Sequence, residues 1–251
     1  MTGALSGRAG LVTGGAGGIG RVCALGYASA GASVVVADLE RCRDEGLETV
    51  RLIEKEGGTA VFVPADVTSE EDQQALVATT VETFGAVDFA LNNAGIQHQA
   101  SLIEMEQADF DRVIAVNLKG VWLGLKWQLR QMRAQRRGSI VNIASLAGLV
   151  SPPLLGAYVA SKHGVVGLTK TAAVENADLE IRVNAICPAS IRTPLMDVLS
   201  PEQLEQWVAR MAIKRLGTPE EVAAAALWLS SDHASFVTGI ALPVDGGASA
   251  M

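Results

Sequence analysis

Short apolar runs alternate with longer stretches of helical periodicity along the chain. The short runs are rich in Val, Ile and Ala, which is typical of buried parallel strands, and they are separated by helix-length segments. This alternation predicts βαβ units and an α/β fold built on a doubly wound, seven-stranded parallel sheet. The predicted strands are Ala9–Thr13, Ser33–Ala37, Ala60–Pro64, Val87–Leu91, Ser139–Ile143, Ile181–Ile186 and Gly239–Pro243.

Six helices are predicted between these strands. The fourth is unusually long, and we expect it to be interrupted. Because 251 residues suit one large α/β unit, the whole chain, 1–251, is expected to form a single domain. The predicted helices are Gly18–Ala30, Arg43–Glu56, Ser69–Phe84, Gln107–Gln135, Ala157–Asn176 and Pro219–Ser230.

Composition and charge narrow the possible functions. Hydrophobic residues make up 49% of the chain and aromatic residues 4%, which favours an aliphatic core. The formal net charge of −7 argues against a nucleic-acid surface, which needs clustered Lys and Arg. No apolar stretch approaches the roughly 18 residues of a membrane span, and the amino terminus has no signal-peptide pattern, so we expect no membrane partner and a cytoplasmic location. The three Cys and three His residues are too scattered for a disulfide framework or a metal site.

A glycine-rich turn follows the first predicted strand and opens the first predicted helix. Glycines allow a tight turn and let backbone N–H groups approach a pyrophosphate at the positive end of the helix dipole. Asp38 ends the second predicted strand, eighteen residues after Gly20, where a carboxylate bonds the adenosine ribose of a dinucleotide. Because a carboxylate repels a 2′-phosphate, the expected cofactor is NAD rather than NADP, although Arg41 and Arg43 lie nearby in the sequence. The alternative role for Asp38 is to cap the next helix.

Ser145, Tyr158 and Lys162 are candidates for proton and hydride transfer chemistry. Tyr158 and Lys162 are four residues apart, so a helix places them on one face. A neighbouring ammonium group favours a phenolate, so we expect Lys162 to lower the Tyr158 pKa and make the phenol an acid/base near neutral pH. Ser145 closes an apolar run, so its hydroxyl is expected at the carboxyl end of the sheet, where ligands of such sheets bind. A surface helix can carry the same Tyr and Lys spacing, and the pair therefore gains weight only from the other motifs.

Further motifs lie in order along nearly the whole chain. They are Thr13-Gly-Gly-Ala-Gly-Gly-Ile-Gly20, Asp66-Val67, Asn92-Asn-Ala-Gly95, Asn117, Ser145, Tyr158 with Lys162, Asn184-Ala-Ile-Cys-Pro188, Ile191-Arg-Thr193 and Asp245-Gly-Gly247. Together these segments resemble the short-chain dehydrogenase/reductase family. The resemblance implies a Rossmann fold, an NAD cofactor and a catalytic tetrad formed by Asn117, Ser145, Tyr158 and Lys162.

The resemblance also implies a role for each residue. Tyr158 would exchange a proton with the substrate oxygen, Ser145 would donate a hydrogen bond to that oxygen, and Lys162 would bind the nicotinamide ribose. Asn117 would hold a water linking Lys162 to solvent, or would simply be a helix amide bonded to backbone. No metal is expected. The residues that the resemblance assigns to cofactor binding are Gly14, Gly17, Gly18, Ile19, Gly20, Asp38, Asp66, Val67, Asn93, Tyr158, Lys162, Ile191 and Thr193.

One position departs from the family pattern. Ala189 follows Pro188, where the family usually has Gly. Because Ala restricts positive φ, we expect the loop over nicotinamide to follow a slightly different path.

The predicted substrate site is mainly apolar. Its expected walls are residues 146–155, residues 96–98 and the stretch 194–211, within a substrate loop at about 190–215, and they bring no Arg or Lys together. We therefore expect a neutral, hydrophobic secondary alcohol or ketone as the small-molecule partner, and His98 is a candidate to bond a substrate oxygen.

Two other functions stay open. A 3-oxoacyl-carrier-protein reductase has the same fold, and Arg130, Arg133, Arg136 and Arg137 would then dock an acidic carrier. That enzyme needs NADPH, which Asp38 opposes. It often has an arginine where this chain has Val174. The other alternative is a non-catalytic NAD-binding regulatory protein.

The family resemblance implies a homotetramer. Apolar residues on the long fourth and fifth predicted helices, among them Trp122, Leu123, Leu125 and Val165, are expected to cover more than one helix face and to contact a neighbouring subunit. The carboxyl-terminal Ala241–Met251 is expected to pack across a further interface.

Overall fold

Seven parallel strands form one sheet in the computed structural model, which describes residues 3–193 and 200–251. The strands are β1 (Ala9–Thr13), β2 (Ser33–Asp38), β3 (Thr59–Pro64), β4 (Phe89–Asn92), β5 (Gly138–Ile143), β6 (Ile181–Pro188) and β7 (Ala241–Val244). Their order is β3-β2-β1-β4-β5-β6-β7, which confirms the predicted doubly wound α/β class. From β1 the strands are added toward one edge of the sheet, and from β4 they are added toward the other edge. A crevice therefore opens between β1 and β4 at the carboxyl ends of these strands.

The helices lie between the strands, on both faces of the sheet. The predicted interruption of the long fourth helix is confirmed, because a π-helical turn, Ala115–Lys119, separates its two halves. The helix at 201–209 was not predicted. The helices are α1 (Gly18–Ser29), α2 (Arg43–Lys55), α3 (Glu70–Phe84), α4 (Gln107–Ile114), α5 (Gly120–Gln135), α6 (Gly156–Asn176), α7 (Pro201–Ala209) and α8 (Pro219–Ser230).

Two predicted strands begin too early, each for a local reason. Before β4, the Gln135 side chain accepts the Val87 N–H at 3.0 Å and donates to the Val87 carbonyl at 2.9 Å, so a side chain takes the place of the ladder at Val87. Before β7, Gly239 has a φ of +77°, which lies outside the extended region.

The core forms two layers because side chains alternate across the strands. Val34 and Val36 of β2 pack on one side with Tyr27 and Phe89, whose rings stack at a centroid distance of 4.3 Å. Val35 packs on the opposite side, against the layer formed by α3, α5 and α6. In the described part of the chain, none of the helices combines the length and apolar character needed to cross a membrane.

The helix faces that were expected to contact another subunit are mostly buried within this one. Leu123, Leu125 and Val165 are at most 4% exposed, so the predicted spread of apolar residues over outer faces is wrong for these positions. Leu125 and Val165 belong to the layer of side chains that covers one face of the sheet. Trp122 on α5 is 46% exposed and Val174 on α6 is 82% exposed, which leaves two apolar side chains outside the core.

Candidate active site

The three predicted catalytic side chains meet at the carboxyl end of β5. Ser145 follows this strand in extended conformation, and its Oγ accepts the Ala147 N–H at 3.1 Å. Tyr158 lies on the first turn of α6, and the Ser145 side chain is close enough to its phenol to lower the phenol pKa. Lys162, one turn later, places Nζ 5.5 Å from the centroid of the Tyr158 ring and donates to the Ile143 carbonyl at 2.9 Å. The Tyr and Lys spacing therefore belongs to a convergent site and not to a surface helix.

The electrostatics of this site differ from the sequence expectation. Burial raises the pKa of Tyr158, and the hydrogen bond from Ser145 opposes this rise. Burial also lowers the pKa of Lys162 to about 8. The expected lowering of the Tyr158 pKa by Lys162 is therefore wrong in this structure, because desolvation of the phenol raises the pKa and the opposing effect comes from Ser145 and not from Lys162.

Asn117 lies in the π-helical turn and is fully buried. Its Oδ1 accepts the Ile96 N–H at 2.8 Å, and its Nδ2 donates to the Ile96 carbonyl at 2.9 Å and to Ser161 Oγ at 3.2 Å. A Cβ added to Gly95 would lie 3.3 Å from Asn117 Oδ1 and 3.6 Å from Lys162 Nζ, so these groups are neighbours. Asn117 thus bonds backbone groups, which is the alternative role predicted for it from the sequence, and it lies next to Lys162.

The glycine-rich turn between β1 and α1 leaves space beside a helix terminus. Gly14 has a φ of +66°, and a Cβ on Gly20 would lie 2.0 Å from the Gly14 carbonyl oxygen. Gly17 precedes the first helical residue and carries no capping side chain, and a Cβ there would meet nothing within 4 Å. Backbone N–H groups at an uncapped helix terminus, next to open space, fit the pyrophosphate of a dinucleotide.

Asp38 ends β2 beside this turn and is half-buried. Its carboxylate accepts the N–H groups of Ala16 at 3.1 Å and Leu39 at 2.8 Å. It therefore bonds the glycine-rich turn as well as the residue that follows it in the chain. Arg43 is engaged elsewhere, because it forms two bonds to Glu40 at 2.6 and 2.8 Å.

The other predicted cofactor residues lie around the same crevice. Asn93 Nδ2 donates to the carbonyls of Thr13 at 3.1 Å and Gly14 at 3.2 Å. Thr193 approaches the glycine-rich turn, since its Cγ2 is 3.8 Å from the position of a Cβ on Gly18. The remaining three are Ile191, which is buried, Val67, which is half-buried, and Asp66, whose exposed carboxylate accepts from Thr68. Ile19 on α1 packs against the core.

Two polar side chains for which the sequence motifs predict no role organise the site. The Thr13 hydroxyl accepts the N–H groups of Asn93 at 3.0 Å and Ala94 at 3.2 Å, and so ties the end of β1 to the segment after β4. Ser161 Oγ donates to the Tyr158 carbonyl at 2.7 Å and links Asn117 to α6. The sequence contained a hint of both roles, because Thr13 ends a strand just before a glycine and Ser161 lies between Tyr158 and Lys162.

The walls predicted for the substrate site are only partly described. Residues 194–199 of the predicted substrate loop lie outside the described residues. Leu154 has a φ of +64°, and its carbonyl accepts the Ala100 N–H at 2.9 Å, which joins the two described walls. His98 lies with Nε2 3.5 Å from Asp109 Oδ2.

Ala189, in place of the usual Gly, is accommodated without backbone strain. Its N–H donates to Val244 at 3.1 Å and so continues the pairing of β6 with β7. Among the described residues, the non-glycine positions with positive φ are Arg136, Leu154 and Glu180. The expected change of loop path is therefore not required at this position.

A cavity of about 100 Å³ lies next to Ala189, between Met211 and Asp245. None of the four predicted catalytic residues lines it, so the chemistry is assigned by the convergent side chains and not by this cavity. In the described part of the chain, no group of three His, Cys, Asp or Glu side chains is arranged to hold a metal ion.

The arginine run at the end of α5 is largely engaged within the subunit. Arg133 donates to Asn176 Oδ1 at 2.6 Å, Arg137 donates to Asp88 Oδ1 at 2.9 Å, and Arg130 lies 4.6 Å from the Trp127 ring centroid. These contacts weaken the idea of a docking patch for an acidic carrier.

Comparison with known proteins gives relatives along the whole length. Residues 14–249 match the family model described as enoyl-(acyl carrier protein) reductase. The chain is 42% identical over 252 residues to 2,5-dichloro-2,5-cyclohexadiene-1,4-diol dehydrogenase of Sphingobium indicum, covering 98% of this chain and 99% of the relative. It is 40% identical over 245 residues to a 3-oxoacyl-(acyl-carrier-protein) reductase of Thermotoga maritima, covering 97% and 98%.

Levodione reductase is similar in both sequence and structure. The protein from Leifsonia aquatica is 40% identical over 252 residues, covering 96% of this chain and 93% of the relative. A crystal structure of levodione reductase superposes with a TM-score of 0.93 at 38% identity, covering 98% of this chain and 99% of that one.

Proposed function

Because this chain belongs to the short-chain dehydrogenase/reductase family, we propose that it is an NAD(H)-dependent oxidoreductase that interconverts a neutral, hydrophobic or cyclic secondary alcohol and its ketone. The observation that carries this proposal is the convergence of Ser145, Tyr158 and Lys162 at the carboxyl end of β5, with Lys162 Nζ 5.5 Å from the centroid of the Tyr158 ring. A hydroxyl, a phenol and an ammonium group in this arrangement suit proton exchange with an alcohol oxygen.

In the proposed mechanism Tyr158 is the acid/base. During oxidation its phenolate takes the alcohol proton, and during reduction its phenol returns a proton to the carbonyl oxygen. Ser145 donates a hydrogen bond to the same oxygen and keeps its proton, and this bond stabilises the charge that develops there; one such donor contributes about 10² to 10³ in rate. Nicotinamide, when bound, supplies or accepts the hydride.

Lys162 and Asn117 support the phenol. Lys162 is 3% exposed and its Nζ lies 5.5 Å from the centroid of the Tyr158 ring, where a protonated ammonium group would favour the phenolate over the phenol. Asn117 fixes the Ile96 backbone and lies near Lys162, as expected for the end of a proton path to solvent that passes through water.

NAD is the proposed cofactor because of the arrangement around Asp38. Its carboxylate is fixed by two N–H groups at the end of β2, where it would accept the adenosine ribose hydroxyls and repel a 2′-phosphate. The pairing of Arg43 with Glu40 removes one cation that could otherwise offset this repulsion.

A cyclic substrate is proposed from two supports. The described segments that are predicted to line the site are mainly apolar and include Leu149, Val150, Leu154 and Ile96. Levodione reductase and the cyclohexadienediol dehydrogenase both have names that describe ring compounds carrying oxygen.

The second candidate function is a 3-oxoacyl-carrier-protein reductase, which the Thermotoga relative favours. It requires NADPH and a basic docking surface. The fixed carboxylate of Asp38 and the intramolecular bonds of Arg133 and Arg137 argue against both.

A substrate panel tests the proposal. Cyclic alcohols and diketones, linear secondary alcohols and an acetoacetyl thioester are each assayed with NAD(H) and NADP(H). We expect turnover of cyclic substrates with NAD(H). Turnover restricted to the thioester with NADPH would support the reductase instead, and binding of NADH without turnover of any substrate would support a regulatory protein.

We also propose that the protein is a single-domain, cytoplasmic homotetramer. The exposed Trp122 and Val174 are candidates for subunit contacts. Light scattering at micromolar concentration should give about four times the chain mass of 26.1 kDa. A stable and fully active monomer would contradict the proposed assembly.

A further inference from the structure

We infer that Arg21 and Thr49 are positioning residues that set the orientation of two peptide groups in the glycine-rich turn, and through them the pyrophosphate site and Asp38. The inference rests on the proposed use of a dinucleotide cofactor. Neither residue was assigned a role by the sequence motifs. Both act on the peptide groups around Ala16, between β1 and α1.

Arg21 lies on the first turn of α1, and its guanidinium group makes three contacts. Nε donates to Thr49 Oγ1 at 2.9 Å, and one terminal nitrogen donates to the Glu45 carbonyl at 2.9 Å and also to the Ala16 carbonyl. A planar guanidinium with several fixed donors can hold these acceptors together, whereas a lysine ammonium group has no such fork. Arg21 thus joins α1, the glycine-rich turn and α2.

Thr49 is fully buried on α2 and faces the same turn. Its hydroxyl oxygen lies 3.1 Å from the carbonyl oxygens of Gly15 and Glu45, and it accepts the bond from Arg21. These hydrogen bonds hold the buried hydroxyl in one position. If the hydroxyl moved away, it would lose these bonds and find no water to replace them.

Because peptide groups are trans, a contact that orients a carbonyl group also orients the N–H group of the following residue. In a trans peptide the C=O and the following N–H point to opposite sides. The Gly15 carbonyl points toward Thr49, so the Ala16 N–H points the other way, where it donates to Asp38 Oδ2 at 3.1 Å. The hydroxyl of Thr49 therefore fixes the carboxylate of Asp38 through one peptide group.

The same logic applies to the next peptide group. The Ala16 carbonyl points toward Arg21, so the Gly17 N–H points away from Arg21. The space at Gly17 is open, since a Cβ there would meet nothing within 4 Å. Arg21 therefore turns a carbonyl dipole away from the place where an anionic pyrophosphate would bind, and turns an N–H group toward it.

The test measures cofactor affinity apart from stability. Dissociation constants for NADH, ADP-ribose and 5′-AMP are measured by fluorescence and calorimetric titration on the intact protein, with thermal unfolding of each variant. We expect Arg21→Gln to weaken NADH and ADP-ribose binding by roughly ten- to a hundredfold, the range of one charge-assisted hydrogen bond. The kcat at saturating cofactor should stay within about twofold of the wild type, because Arg21 is remote from the reacting atoms by its place on α1.

Further variants separate position from charge. Arg21→Lys keeps the charge and loses the fork, so it should bind NADH nearly as weakly as Arg21→Gln; full affinity in Arg21→Lys would overturn the positioning role. Thr49→Val should weaken 5′-AMP binding and narrow the preference for NAD over NADP, and Thr49→Ser should restore both. If Thr49→Val fails to fold, Thr49→Ser and Arg21→Lys still decide the question.

Arg51→Gln is the matched control. Arg51 lies on the same helix as Thr49 and pairs with exposed Glu48, without contact to the glycine-rich turn. It should leave all three dissociation constants unchanged. Lower thermal stability of the Arg21 and Thr49 variants with unchanged NADH affinity would overturn the inference. A wild type that binds neither NADH nor ADP-ribose would instead refute the proposed cofactor.

Discussion

The catalytic region and the glycine-rich region share one crevice but use different atoms. The catalytic region consists of side chains with little access to solvent: Asn117 is fully buried, and Lys162 is 3% exposed with a pKa lowered to about 8. The glycine-rich region offers backbone N–H groups, held in a close packing of backbone that is possible only because Gly14 and Gly20 have no side chain. The first is therefore sensitive to loss of a functional group, and the second to gain of a single carbon atom.

The largest effect should come from removing the phenol. Tyr158→Phe loses the acid/base but almost no volume, so kcat should fall by at least about 10², while NADH affinity changes little. The control is Tyr27→Phe, since Tyr27 is in the core and its hydroxyl lies 3.0 Å from Ser230 Oγ. That variant should lose about 1 kcal/mol of stability and keep its activity. If Tyr158→Phe retained more than about a tenth of the activity, Tyr158 would not be the acid/base.

The buried Lys162 should make stability depend on pH. Its pKa is about 8 in the folded protein and near its ordinary value of 10.5 in the unfolded chain, so the unfolded chain binds more protons between these values. The free energy of unfolding of the wild type should therefore rise with pH across this window, relative to Lys162→Met, by about 3 kcal/mol in total. Below pH 8 the difference should be constant. Urea unfolding at pH 7, 9 and 10 measures it, and parallel curves for both proteins would show that Lys162 is not desolvated.

Adding one carbon to the glycine-rich turn tests the other region. A Cβ at Gly20 would lie 2.0 Å from the Gly14 carbonyl oxygen and 2.6 Å from Asn93 Nδ2, so backbone must move. Gly20→Ala should weaken NADH binding by at least about tenfold and lower the melting temperature, as overpacking costs about 1 to 3 kcal/mol. Gly17→Ala meets no atom within 4 Å and should leave the melting temperature nearly unchanged. Equal melting temperatures for the two variants would contradict this difference.

The smallest expected effect concerns the cofactor preference. The wild type should prefer NAD(H) over NADP(H) by at least about tenfold in kcat/KM, which corresponds to about 1.4 kcal/mol. Asp38→Ala should narrow this preference, because the fixed carboxylate is lost. Steady-state kinetics with both cofactors provide the measurement. A wild type that works equally well with NADP(H) would refute the role of Asp38.

Sequence patterns predicted the strands better than the loops. Buried parallel strands are continuous apolar runs, and β1 was predicted to the residue, from Ala9 to Thr13. Two strands were predicted to begin too early, one where a side chain substitutes for the ladder, at Val87, and one where a glycine adopts positive φ, at Gly239. Helix α7 was missed, and residues 194–199 of the predicted substrate loop lie outside the described part.

The sequence by itself determined which groups are available and how they are spaced: Tyr158 and Lys162 one turn apart, and Asp38 at the end of a strand after the glycine-rich turn. These are local features, set by helical and strand periodicity. Only the tertiary structure decided that burial raises the Tyr158 pKa, that Asn117 bonds Ile96, and that Arg21 and Thr49 orient the peptide groups next to Asp38. Desolvation and long-range hydrogen bonds depend on which distant elements pack together, and neither is encoded in the spacing of neighbouring residues.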